Sequence, residues 1–129
     1  GALTEQKKAI QKLCNFAKRT RTHIHLVAHP RKGRDESSAP GKMDVAGAGK
    51  ITDGADNVFS VWAALKDESE PLNDEPDAKL ELWKQRNGEV QHKKVMLWFN
   101  KATQQYTTTS RRQPVRFVEF SGQPAEIPQ

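Results

Sequence analysis

Residues 79–85 read KLELWKQ, residues 87–88 are Asn-Gly, and residues 95–99 read VMLWF. Alternation along the first run puts Leu80, Leu82 and Lys84 on one side of an extended chain and Glu81, Trp83 and Gln85 on the other. Asn-Gly favours the tight turn that joins antiparallel strands, so 79–99 predicts a hairpin with an almost wholly apolar return strand. Upstream, 57–65 (NVFSVWAAL) predicts a further strand, separated from the hairpin by 66–78 (KDESEPLNDEPDA), an acidic, proline-containing exposed loop. Downstream, 104–109 and 115–120 predict two more short strands.

The N-terminal part has a different rhythm. Ile10, Leu13 and Ala17, with Cys14 and Phe16 beside them, recur at helical spacing and predict a helix over 4–19 with Thr4 as its N-cap. Lys7 stands where a capping box would need Glu or Gln. Residues 23–28 (HIHLVA) predict a short buried strand that Pro30 stops. Residues 30–44 are nearly free of apolar side chains and predict a long loop, a feature that is usually functional or disordered. Residues 45–55 predict a short helix interrupted by Gly47, Gly49 and Gly54. The order helix, strand, loop, short helix, strand and meander predicts an α/β fold whose sheet is finished by antiparallel strands.

Composition narrows the function classes. The 129 residues are 35% hydrophobic and 29% charged, the size of one small domain or part of a larger one. No apolar run reaches the roughly 18 residues of a membrane span, and Cys14 alone cannot build a disulfide framework or a cysteine zinc finger. A reducing, cytoplasmic setting follows as the expectation. The net charge of +5 is unevenly spread. Residues 1–34 carry +8, residues 35–81 carry −8, and residues 82–129 carry +5. Two basic blocks around an acidic one suit contact with a polyanion, though a patchy solvated surface would give the same sums.

Among catalytic motifs, Walker A is absent: Gly49-Lys50 is followed by Ile51, not Ser or Thr. Neither a Gly-x-Ser-x-Gly elbow nor a His-Glu-x-x-His zinc pattern occurs. His23 and His25 share a strand face, but no carboxylate or cysteine clusters with them in sequence, so no metal site is expected. His29 stands at the expected carboxyl end of a strand, before Pro30-Arg31-Lys32, where α/β sheets bind ligands. It could sense a phosphate, or be a surface histidine in a basic loop. Lys84 and Arg86, at i and i+2, could clamp a phosphate chain from one strand face, with Arg86 as a finger; protection of a sheet edge by charge is the other reading. Trp62, Trp83 and Trp98 all fall in predicted strands and read as core more readily than as base-stacking platforms.

Four stretches taken in order resemble the C-terminal part of the RecA-like motor domain of DnaB-type replicative helicases, with phage primase-helicases and Twinkle-like helicases as the closer likeness. They are HLVAHPRK (25–32), DVAGAGKITDGADN (44–57), WKQRNG (83–88) and VMLWFNKATQQY (95–106). The resemblance covers about residues 3–108, assigned as 1–108 to the motor domain, and leaves 109–129 as a polar tail. It implies an ATP-dependent, ring-forming DNA helicase, a hexamer acting in a bacterial or phage-infected cell. The Walker A lysine and Walker B aspartate would lie upstream, so that this segment alone is inactive and holds no cofactor. In the intact protein ATP and Mg²⁺ are the implied cofactors. His29 matches the γ-phosphate sensor after the motor strand. Residues 30–50 match a loop on single-stranded DNA, with Arg31, Lys32, Arg34, Lys42, Gly47, Gly49 and Lys50 as the contacting residues. Lys84 and Arg86 match the pair that enters the neighbouring subunit's ATP site. A non-enzymatic nucleic-acid-binding module and another RecA-like ATPase such as a recombinase are the alternatives.

Overall fold

A computed structural model describes residues 2–29, 35–46, 49–89, 92–119 and 121–127. Helix α1 spans Ala2–Thr20, so its backbone is helical before Thr4, which is therefore not the N-cap. Arg21 ends it in the left-handed region (φ 53), and Thr22 N–H caps the Ala17 carbonyl at 3.0 Å. The chain then runs to His29 without regular structure. Leu26 is 52% exposed and Val27 81%. The strand expected over 23–28 is thus not formed: a strand exists only by pairing, and among the described residues the sheet does not include this segment.

Two short helices follow, α2 (Lys42–Ala46) and α3 (Gly49–Gly54). The first starts inside the stretch expected to be loop. Its start has a local cause: Asp44 Oδ2 accepts from Gly41 N–H at 2.9 Å while Gly41 O receives the N–H groups of Asp44 and Val45. The first bond is one half of a capping box, with Asp in the place of Glu; a glycine N-cap has no side chain to supply the other half. Helix α3 lies against α1. Cys14 Sγ donates to Gly54 O at 3.3 Å, and a Cβ at Gly54 would run into the β-branched Ile10 side chain.

Four strands complete the fold: β1 (Asn57–Ala63), β2 (Ala78–Gln85), β3 (Lys93–Asn100) and β4 (Gln105–Thr107). They form one sheet in the order β1-β2-β3-β4, antiparallel throughout. Helices and strands are thus both present, and the antiparallel finishing strands expected from the sequence make up this sheet. Among the described residues, 115–120 contributes only a bridge from Val118 to Pro124, closed by a turn with Gly122 at φ +81. Proline lacks the N–H a ladder needs, which limits pairing there.

The register separates two faces. One carries Ser60, Trp62, Lys79, Glu81, Lys94, Met96 and Trp98; the other carries Phe59, Val61, Leu80, Leu82, Val95, Leu97 and Phe99. The second face is open at its β1 edge, where Phe59 is 51% and Val61 60% exposed. Among the described residues Ala78 is the buried hydrophobic side chain. The tryptophans are half-buried, and each indole N–H is satisfied: Trp62 by Glu36 O, Trp83 by Ser60 Oγ and Trp98 by Asp74 O.

Candidate functional site

A β-bulge decides where Lys84 points. Phe59 pairs with Leu82, but Val58 pairs with Lys84, which leaves Trp83 as the extra residue of β2. Val58 belongs to the face of Ser60, so Lys84 does too. The alternation expected from the sequence, with Lys84 beside Leu80 and Leu82, is corrected: the inserted residue reverses the phase after Leu82.

Beyond the bulge, Lys84 and Arg86 converge on the C-terminal end of α3. Lys84 Nζ donates to Thr52 O at 3.1 Å and to Asp53 O at 3.3 Å. Arg86 Nη2 donates to the same Asp53 O at 3.2 Å, and Nη1 meets Asp56 Oδ1 at 2.9 Å. The Arg86 backbone N–H donates to Asp56 O at 2.8 Å, fixing the main chain beneath the side chain. The last carbonyls of a helix have no intrahelical donor and carry partial negative charge, so they attract cations. Two cations therefore meet at one oxygen, with one carboxylate beside them. The Arg86 side chain remains 44% exposed. A guanidinium has five N–H donors. Among the described residues two of these are engaged here, one on each Nη.

His29 does not join this group. It is exposed at the end of the irregular segment, and among the described residues no hydrogen bond or ion pair links it to Lys84 or Arg86. Its expected place beyond a strand end is lost with the strand. Of the residues matched to the DNA loop, Arg31, Lys32, Arg34 and Gly47 lie outside the described residues. Lys42 is the exposed first residue of α2. Gly49 opens α3 with nothing within 4 Å of where a Cβ would stand, and the backbone of Lys50 follows it in the same helix. The His23 and His25 rings lie 4.4 Å apart. Among the described residues no three His, Cys, Asp or Glu side chains gather as metal ligands.

Two polar clusters escaped the sequence reading. Glu81, 3% exposed, meets His92 Nε2 at 3.0 Å, Lys79 Nζ at 3.3 Å and Lys94 Nζ at 3.7 Å. Burial pushes its pKa up, but the hydrogen bonds from His92 and Lys79 and the charges of Lys79 and Lys94 outweigh it, leaving the carboxyl below its ordinary value. Asp77 receives Lys66 Nζ at 2.8 Å, Phe99 N–H at 2.7 Å and Arg112 Nε at 3.1 Å. Burial again opposes ionisation, and the bonds from Lys66, Phe99 and Arg112 prevail, holding Asp77 at about 2. Arg112 belongs to the part read as a polar tail. The structure docks 109–115 on the sheet instead, with Arg112 O accepting from Asn100 Nδ2 at 2.8 Å and Val115 bonded in both directions to the Gln105 amide. Alternating charge at Lys79 and Glu81 was a usable signal for the first cluster. Nothing local marked the second, whose partners are 35 residues apart.

Among the described residues no helix is long and apolar enough to cross a membrane. No protein-family model matches the chain, and no curated protein matches it either.

Proposed function

We propose that this chain is the C-terminal part of a RecA-like motor domain from a DnaB-type, ring-forming replicative DNA helicase. The observation that carries the reading is the meeting of Lys84 and Arg86 at Asp53 O, a paired-cation site whose arginine is still presented to solvent. A DNA-binding module has no need of such a pair at the end of a sheet strand. A motor that hydrolyses ATP between subunits does, because Arg can meet the charge that grows on the γ-phosphate oxygens during transfer. The exposed Leu26, Val27, Phe59 and Val61 add support, being surfaces that neighbouring strands and helices of a complete motor domain would cover.

In this reading the phosphate cradle comes from upstream residues, and Mg²⁺ would be held there to neutralise phosphate charge; no ligand from this chain is assigned to it. Lys84 offsets ground-state charge on the neighbour's nucleotide, and Arg86 acts as the finger in trans. Residues 30–50 contact single-stranded DNA through backbone phosphates, and α3 joins that stretch to the two cations. Six subunits would close the ring.

The test is subunit mixing in the intact protein that carries this segment behind its P-loop. Arg86→Ala should reduce ATP hydrolysis by about 10³-fold or more and leave nucleotide and DNA binding in place. Arg86→Lys should rescue poorly, since an ammonium lacks the planar fork. Mixing Arg86→Ala subunits with subunits lacking the Walker lysine should restore part of the activity, because some interfaces then combine a sound P-loop with a sound finger. Mixed rings that form and regain nothing would return Arg86 to the role of a charged sheet edge.

A further inference from the structure

The pair at the end of α3 is not symmetrical: Lys84 leans only on carbonyl oxygens, whereas Arg86 is held by an acid as well. Asp56 engages Arg86 twice, through its carboxylate to Nη1 at 2.9 Å and through its carbonyl to the Arg86 backbone N–H at 2.8 Å. Asp53 O takes Nη2 at 3.2 Å. These three contacts fix the strand end, one edge of the guanidinium and the direction of its plane. A single exposed ion pair adds little to stability, and here the Asp56 side chain is 61% exposed. Its geometric effect is larger than its energetic one, because an unrestrained arginine spreads over many rotamers.

We propose that Asp56 is the positioning residue of the Arg86 finger, a role that rests on the helicase reading above. The carboxylate takes one Nη1 hydrogen and Asp53 O one Nη2 hydrogen, which leaves Nε and one hydrogen on each Nη for the neighbouring subunit's phosphoryl oxygens. A finger aimed before the nucleotide arrives loses less freedom at the transition state, which is where its charge is used. Asp56 itself touches no substrate. All three contacts come from Asp53 and Asp56, within and just past the last turn of α3, so the aim of Arg86 follows the attitude of that helix.

The experiment uses the assembled intact protein and four variants: Asp56→Ala, Asp56→Glu, Arg86→Ala and the double variant Asp56→Ala with Arg86→Ala. Ring assembly by size-exclusion chromatography and circular dichroism confirm folding, and Asp56→Asn serves where the alanine variant fails to assemble. The expected result is a fall in kcat of about 10–100-fold for Asp56→Ala with KM for ATP within about twofold, as for a misaimed catalytic group. Asp56→Glu should recover part of the loss. In the Arg86→Ala background Asp56→Ala should cost nothing further, since no finger remains to aim. An unchanged kcat for Asp56→Ala, with Arg86→Ala inactive, overturns the positioning role and leaves the finger standing. A further fall in the double variant overturns it as well, placing the effect of Asp56 elsewhere. Full hydrolysis by Arg86→Ala overturns the helicase reading of this site and the positioning role with it.

Discussion

Arg112 grips Asp77 with two of its nitrogens, Nε at 3.1 Å from Oδ2 and Nη2 at 3.4 Å from Oδ1, although 35 residues separate them. The pair is well shielded, the Arg112 side chain being 10% exposed and Asp77 17%. The Arg112 backbone is left-handed (φ 51). A forked arginine–carboxylate contact is stronger than a neutral hydrogen bond and fixes orientation as well as distance. Through it the segment after β4 is tied to the start of β2.

Asp77→Asn should therefore lower stability by about 2 kcal/mol, the scale set by hydrogen bonds to a charged group. Asp77 titrates at about 2 in the folded chain, below the ordinary aspartate value near 3.9 of an unfolded one. The unfolded state thus binds the proton first, and the stabilisation is present above about pH 4 and lost as pH falls toward 2. Urea denaturation at pH 6 and pH 2.5 checks this: the Asn variant should show a flatter pH dependence than the parent. Equal slopes would mean that Asp77 is not the titrating group.

Gly54→Ala should destabilise by about 1–3 kcal/mol, the usual cost of overpacking, because its Cβ would meet Ile10 and push α1 from α3. Ile10→Ala removes the obstructing methyl, so the double variant should lose less than the two single losses added together. Thermal melts of the four proteins measure the coupling, and strict additivity would contradict the contact.

The chain on its own should neither bind ATP tightly nor hydrolyse it. A P-loop contributes the ring of backbone N–H groups that cradles phosphates, and the sequence has none. Titration with a fluorescent ATP analogue is the measurement. Mg²⁺-dependent binding in the low micromolar range would place a nucleotide site within these 129 residues and contradict the shared site proposed above.

Single-stranded DNA should bind weakly and with a steep salt dependence. Each phosphate neutralised by Arg31, Lys32, Arg34, Lys42 or Lys50 should add about 0.7 to the slope of log affinity against log salt. Fluorescence anisotropy of a labelled oligothymidine across a salt series gives the slope. Replacing all five cations by Ala should flatten it; an unchanged slope would move the contact to another surface.

What the sequence discloses about this fold follows from the range of the interactions concerned. The period of Ile10, Leu13 and Ala17 and the alternation around Leu80 and Leu82 are local, and α1 and the β2–β3 hairpin appear where they indicate. The apolar run 23–28 has the same local character, but whether it pairs depends on a neighbour that no local pattern reports. The cap of α2 was hidden because Gly41 and Asp44 stand in a stretch rich in loop formers. Lys84 and Arg86 could be singled out from spacing alone. Their common anchor at Asp53 could not, since it requires a helix more than 30 residues away to end beside them. The Asp77–Arg112 tie is non-local in the same sense.

The bulge at Trp83 gives this strand a parity. Leu82 pairs with Phe59 and Lys84 with Val58, so removing Trp83 would close the ladder into regular pairing and still leave Lys84 and Arg86 facing α3. The loss would be confined to the indole's bond to Ser60 and its packing on His92. Straightening the strand with Trp83 retained does the reverse: Trp83 would take the place opposite Val58, and Lys84 would turn to the side of Leu82, away from the Asp53 carbonyl. Chain length here is thus counted modulo two. A one-residue deletion is the mild lesion, and a residue-for-residue change that abolishes the bulge is the severe one.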